Sequence, residues 1–322
     1  MLSRLWVARL VTITALVLPA GWLGLSVPGA QAGTVRSAAT PGSIRAAAVG
    51  RAPLVANAAP PHSKRGLPAP PMTPAMRRAN AAKQAMARKF LARKHQLARK
   101  HALDRKHALA GQHGQARKRA LARPDAKCVR RSCLSGLPAA RSLAATQQPQ
   151  ITNYFCGPAT VSEMLHQVGA KVSQAKAARQ LGTTAGGTDW SNGAGYPVPS
   201  VLNADQKRNT YVAVALPWSP TNAQVRTYEI DLVTDLNRNG GAPLAGNAYE
   251  IPGGPHLVGH PPNQSISHWF DIRGYSKSGA ITQYEDSVHG APSIGWSSAV
   301  PAYSSLSSRT IVNILGARGY DW

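Results

Sequence analysis

The sequence predicts an α+β domain over residues 147–322, with helices first, strands afterwards, and a helix packed on an antiparallel sheet. Three observations carry that prediction. An amphipathic helix opens at Cys156, because Val161, Met164, Leu165 and Val168 fall at i, i+3, i+4 and i+7. A second helix opens at the capping box Thr221-x-x-Gln224 and runs through Val225, Tyr228, Leu232 and Leu236. The remainder is rich in short β-forming runs separated by turn residues.

The elements follow in order. Gly169 stops the Cys156 helix, and residues 173–181 form a short helix ended by Gly182. Residues 211–216 read as a strand. Asn239-Gly240-Gly241 ends the Thr221 helix. Strands are expected over 242–249, 267–275, 280–286 and 309–315.

Charge separates this domain from what precedes it. Residues 1–146 hold 26 Lys and Arg against two acids, Asp104 and Asp125, whereas residues 147–322 hold 11 of each sign. The whole net charge of +24 therefore belongs to the N-terminal part. Residues 1–32 have the layout of a secretory signal: Arg4 and Arg9, an apolar run over 10–25, then Ala30-Gln31-Ala32 before Gly33. Pro19, Gly21 and Pro28 favour cleavage over anchoring, and no second apolar span of about 18 residues follows. The expectation is an exported protein with no membrane span after signal removal.

Residues 33–146 form a basic arm, expected to be mostly disordered or a frayed helix. Residues 33–75 are an Ala/Pro-rich linker. Beyond it a hexapeptide recurs: Leu91-Ala-Arg-Lys-His-Gln, Leu97-Ala-Arg-Lys-His-Ala, Leu103-Asp-Arg-Lys-His-Ala, and the degenerate Leu109-Ala-Gly-Gln-His-Gly. Six helical residues turn by about 240°, so neither the leucines nor the histidines share a face. This argues against a bundle helix and against stacked metal ligands. Two readings stay open: attachment to a polyanion, such as an anionic cell-wall polymer or anionic lipid, and a spacer or pro-segment. Aromatics that would stack on bases are lacking, so no sequence-specific nucleic-acid binding is expected.

Three cysteines leave one over in an exported chain. Cys128 and Cys133 are a candidate disulfide, favoured over a zinc site because no second cysteine pair follows. Cys156 remains. At a helix start it meets the positive end of the macrodipole and unpaired backbone N–H groups, which favour thiolate. The alternative is a small core thiol.

A thiolate needs a base, and His268 opens the strand His-Trp-Phe-Asp-Ile-Arg-Gly-Tyr, where a rigid sheet can hold it. His166 lies about 15 Å along the thiol's own helix, too far to act. His256 and His260 lie in a Pro- and Gly-rich loop, and His289 in a turn. Asp286, at the end of the next strand, is expected beside His268 in a hairpin turning near Ser278-Gly279. Glu285 and Asp271 are expected on the opposite face, although a shifted register exchanges Asp286 for Glu285.

Gln150, Tyr154-Phe-Cys156-Gly-Pro-Ala, the His268 block and Asp286 together resemble the C39-like cysteine peptidases, the bacteriocin-leader-processing group within the papain-like fold. The resemblance covers about residues 147–322. It implies Cys156 as nucleophile, His268 as general base and acid, Asp286 as the group orienting it, and Gln150 as an oxyanion-hole donor. It implies peptide-bond hydrolysis in a peptide or protein substrate, with no cofactor or metal. The chain carries neither the membrane bundle nor the phosphate loop of transporter-linked members, and is similar to a stand-alone, secreted, monomeric relative of actinobacterial type. Alternatives on the same residues are a peptidoglycan endopeptidase or amidase, a transglutaminase-like acyltransferase, and a non-catalytic wall- or surface-binding protein.

Overall fold

The computed structural model describes residues 72–110 and 136–322. The expected signal sequence, most of the linker, and the Cys128–Cys133 pair lie outside the described residues. The elements are helix α1 (Pro74–Ala110), strand β1 (Arg141–Ser142), α2 (Cys156–Gln167), α3 (Gln174–Leu181), α4 (Pro197–Asp205), β2 (Ala213–Ala215), α5 (Asn222–Asn237), β3 (Leu244–Glu250), β4 (Ile266–Ser276), β5 (Ile281–Glu285), β6 (Tyr303–Ser307), α6 (Ser308–Ile314) and β7 (Gly319–Asp321). One antiparallel sheet runs β2-β7-β3-β4-β5-β6, with β1 pairing the far end of β4.

Two apolar clusters flank this sheet. In one, Val161, Met164 and Leu165 of α2 pack with α3, α4, Ala245 and Trp269. In the other, Tyr228, Leu232 and Leu236 of α5 and Ile311, Val312 and Ile314 of α6 pack with Phe270 and Ile272. Alternation along β4 divides its side chains between the two clusters, Trp269 into the first and Phe270 into the second.

Local sequence explains most boundaries. Ser173 caps α3 by accepting the Lys176 N–H, and Gly182 ends it in the left-handed region. Thr221 and Gln224 form the reciprocal capping box at α5. Residues 309–315 correct an expectation: they form most of a helix, not a strand. Ser307 accepts the Thr310 N–H at 3.0 Å and caps α6. Ile311, Val312, Ile314 and Leu315 are all fully buried, while Arg309, Thr310 and Asn313 keep only a narrow, partly exposed stripe, so the short β-branched run mimics a core strand. The strand of this region is β6, immediately upstream, which pairs with β5.

The arm also departs from expectation where it is described. Residues 74–110 form one continuous helix, and its first turns are docked on the domain. Lys83 is buried, with Nζ 2.7 Å from Asp235 Oδ2 and 4.4 Å from the centre of the Trp322 ring. Gln84 donates to Asp231, and Asn80 accepts from the Trp322 indole N–H. Ala87 and Leu91 continue this stripe at i+4 and i+8. Beyond it Leu97 and Leu103 are exposed, as their rotation around the helix requires. Composition alone suggests coil or a frayed helix; the buried ion pair is a tertiary anchor that composition does not reveal. Among the described residues, no helix is long and apolar enough to cross a membrane.

Candidate active site

Cys156 is the first residue of α2, and no side chain caps that helix start. The following Gly157 and Pro158 suit the first turn. Pro lacks only an N–H that the helix would leave unused there. A Cβ on Gly157 would lie 2.3 Å from Thr188 Oγ1, so glycine is what lets the 188 loop cross the helix start. The Thr188 carbonyl accepts from the Trp269 indole, tying that loop to β4 beside His268.

The approach to the helix is fixed against the sheet. Thr146 donates its N–H and hydroxyl to Glu285. Gln147 donates to the carbonyls of Asp286 and His289. The Gln150 N–H bonds Ser287 O at 2.8 Å. Residues 146–150 are thus laced along the segment that carries Asp286, which sets the thiol's helix relative to the imidazole's strand.

His268 is buried on β4, and its Nε2 lies 3.0 Å from Asp286 Oδ1. It also hydrogen-bonds Cys156. Burial pulls the His268 imidazolium down, but the Asp286 carboxylate and the Cys156 contact outweigh it and raise it to about 10. Burial likewise opposes charge on Asp286, yet His268 and His260 hold its carboxyl well below the usual carboxylate range. The structure therefore brings Cys156, His268 and Asp286 into one hydrogen-bonded line.

A β-bulge decides which acid meets His268. From the turn, Ser276 pairs Ile281 and Gly274 pairs Gln283, but the register shifts at Arg273, after which Ile272 pairs Tyr284 and Asp271 pairs Glu285. Continuing the first register would set Asp286 opposite Asp271, on the wrong face. Continuing the shifted one sets it opposite Phe270, on the face of His268 and diagonal to it. Asp286 is thus not the directly opposed neighbour the simple hairpin suggests; it reaches His268 because one residue is extra.

On the other face, Asp271 and Glu285 meet Glu163 of α2, their carboxylate oxygens lying within 4.8 Å of one another. All three are buried, and Gln167 of α2 donates to Asp271 and Glu285. Burial, then Glu285, raise both Glu163 and Asp271 well above the usual range. The spacing suits a cation, but the Gln167 amide hydrogens already lie between the oxygens, so no metal is assigned. His260, His268 and Asp286 also have ligand spacing, but their ring nitrogens and carboxylate oxygens are engaged with one another.

Gln150 is buried; its amide donates to Thr152 O at 2.7 Å, and its Oε1 accepts from Ser287 Oγ at 3.2 Å. The remaining histidines lie apart from the thiol: His166 contacts Gln148, His256 braces its own loop, and His289 bonds Val300 O. His260 was not legible as a site residue. Its Nε2 lies 3.1 Å from Asp286 Oδ2 and its Nδ1 2.8 Å from Glu250 Oε2. Its loop position gave no signal, because both partners are brought to it only by the sheet.

A helix-borne thiol, a strand-borne imidazole and a carboxylate behind it define a mixed helix-and-antiparallel-sheet domain of the papain-like kind. Residues 142–299 match the model of the Peptidase_C39 like family, and this region is similar to that family. No curated protein matches the chain.

Proposed function

We propose that residues 147–322 hydrolyse peptide bonds as a cysteine peptidase, with Cys156 as nucleophile, His268 as general base and acid, and Asp286 orienting the imidazole. The observation that carries this reading is the buried hydrogen-bonded line from Cys156 through His268 to Asp286. His268 takes the thiol proton, and sulfur attacks the substrate carbonyl. The imidazolium then protonates the departing amine, and water, giving its proton to His268, hydrolyses the thioester. The oxyanion is received at the start of α2, which no side chain caps, with the Gln150 amide as second donor. One Gln150 amide hydrogen is directed at Thr152 O, and the second is assigned to the oxyanion.

The reading extends to export and wall association. Beyond the docked turns of α1, Arg93, Arg99, Lys100, Arg105 and Lys106 are exposed and suit an anionic wall polymer. The test is digestion of casein and of purified peptidoglycan by the full secreted chain and by Cys156→Ala. Loss of cleavage in the variant supports the peptidase reading, and the substrate consumed separates protein from wall cross-link. Equal digestion by both proteins refutes it.

A further inference from the structure

The proposed catalytic line does not end at Asp286. That carboxylate is shared between two imidazoles, one on each oxygen: His268 at Oδ1, 3.0 Å, and His260 at Oδ2, 3.1 Å. Oδ1 also accepts the Val288 N–H at 2.9 Å. His260 in turn faces Glu250 at 2.8 Å, and Glu250 receives the Leu257 N–H on its other oxygen at 2.7 Å. The register puts Glu250 opposite Ile266 and Ala248 opposite His268, so Glu250 and His268 share a face of the sheet. Thiol, imidazole, carboxylate, imidazole and carboxylate thus alternate along one buried chain.

Resting on the proposed function, we infer that His260 is a positioning residue for the base: clamped by Glu250, it holds the second oxygen of Asp286 and sets the pH at which His268 gives up its proton. Two features of the geometry require this. Held on Oδ1 alone, by His268 and the Val288 N–H, the carboxylate can still tilt about its Cβ–Cγ bond, whereas clamped on both oxygens it presents Oδ1 to His268 in a single orientation. A second imidazolium on that carboxylate also draws its charge away from His268. Several groups face His260: Glu250 from the end of β3, His268 from β4, Asp286 just past β5, and the Trp296 ring at 4.9 Å. The Tyr284 hydroxyl, near both acids, accepts the Val258 N–H from the same loop. Burial disfavours a charge on His260, but Glu250 and Asp286 outweigh it and raise it to about 9, so His260 is an imidazolium at neutral pH. Its ring centre is 5.3 Å from that of His268.

The test is the pH profile of Cys156 alkylation by iodoacetate in the full chain. This anionic reagent reacts fastest with the thiolate–imidazolium pair and slows as His268 loses its proton. Removing one charge at that separation moves the alkaline limb of His260→Gln upward by about one to two pH units. Casein turnover by the variant falls about tenfold in kcat with little change in KM. A wild-type profile in a folded His260→Gln overturns the inference. In Glu250→Gln, histidine-labelled and followed by NMR, His260 deprotonates at least about one unit lower than in the unmodified chain. In the unmodified chain His260 and His268 are both expected as imidazolium at pH 7, and a neutral His260 there overturns the inference even if both variants fail to fold. His268→Ala separates the two levels. If it abolishes fast alkylation while His260→Gln leaves the profile unchanged, the triad stands and the role of His260 falls. If alkylation is slow in the unmodified chain and insensitive to His268, the proposed function itself falls.

Discussion

Lys83→Ala is the perturbation with the largest expected effect outside the site. Lys83 is 4 % exposed, its ammonium is 2.7 Å from Asp235, and it lies over the Trp322 ring. Burial lowers its proton affinity, and Asp235 opposes that effect. Removing the cation leaves Asp235 buried with only the Asn209 amide at 2.8 Å as compensation. Breaking a buried pair from one side costs about 3–5 kcal/mol. For a domain of this size each kcal/mol moves Tm by about 2–4 °C, so Lys83→Ala should melt about 6–20 °C lower. The assay is calorimetry or circular dichroism on the full chain, with Lys83→Met/Asp235→Leu as control. Removing both charges should restore most of the loss. Limited trypsin digestion adds a second readout: cleavage at Arg99 should be fast and cleavage at Lys83 slow. An unchanged Tm in Lys83→Ala, with Lys83 cut as readily as Arg99, would refute the docking of α1.

Other consequences follow from the site and its surroundings. Gln150→Ala should lower kcat on casein about 10²–10³-fold while leaving Cys156 alkylation by iodoacetamide near the unmodified rate, because an oxyanion donor acts on the substrate and not on the thiol. Asp271→Asn should raise Tm by a few degrees at alkaline pH, where the unmodified carboxyl is driven to ionise beside Glu163 and Glu285, while keeping an amide for Glu285. The folded state binds the His260 and His268 protons more tightly than the unfolded chain does. Their contribution is therefore complete below about pH 6.5 and is lost as pH rises through about 9 and 10, which Tm measured from pH 6 to 11 should register as a fall.

Much of this was legible in the sequence wherever local physics decides. The Cys156 helix follows from its 3.6-residue period, and α5 from its reciprocal Thr221–Gln224 cap. His268 falls on a strand because its flanks alternate into two cores. What was not legible needed partners distant in sequence. The bulge at Arg273 chooses Asp286 over Glu285, and nothing in the run from Ile272 to Gly274 announces an extra residue before β5 is paired. Residues 309–315 hid a helix because it spans barely two turns and its buried Ile311-Val312 and Ile314-Leu315 pairs read as a β-branched run, although the Ser307 cap was present. Lys83 and His260 looked like an arm cation and a loop histidine. Their significance comes from Asp235 in one case and from Glu250 with Asp286 in the other.

The central claim is that Cys156 is a nucleophile activated by His268. Its most direct test is the rate at which iodoacetamide modifies Cys156 at pH 6, read by peptide mapping, in the full chain and in His268→Ala. Cys156 is expected to react at least about tenfold faster than a free model thiol, and His268→Ala to remove the excess. A rate no faster than the model thiol, unchanged by His268→Ala, would contradict it.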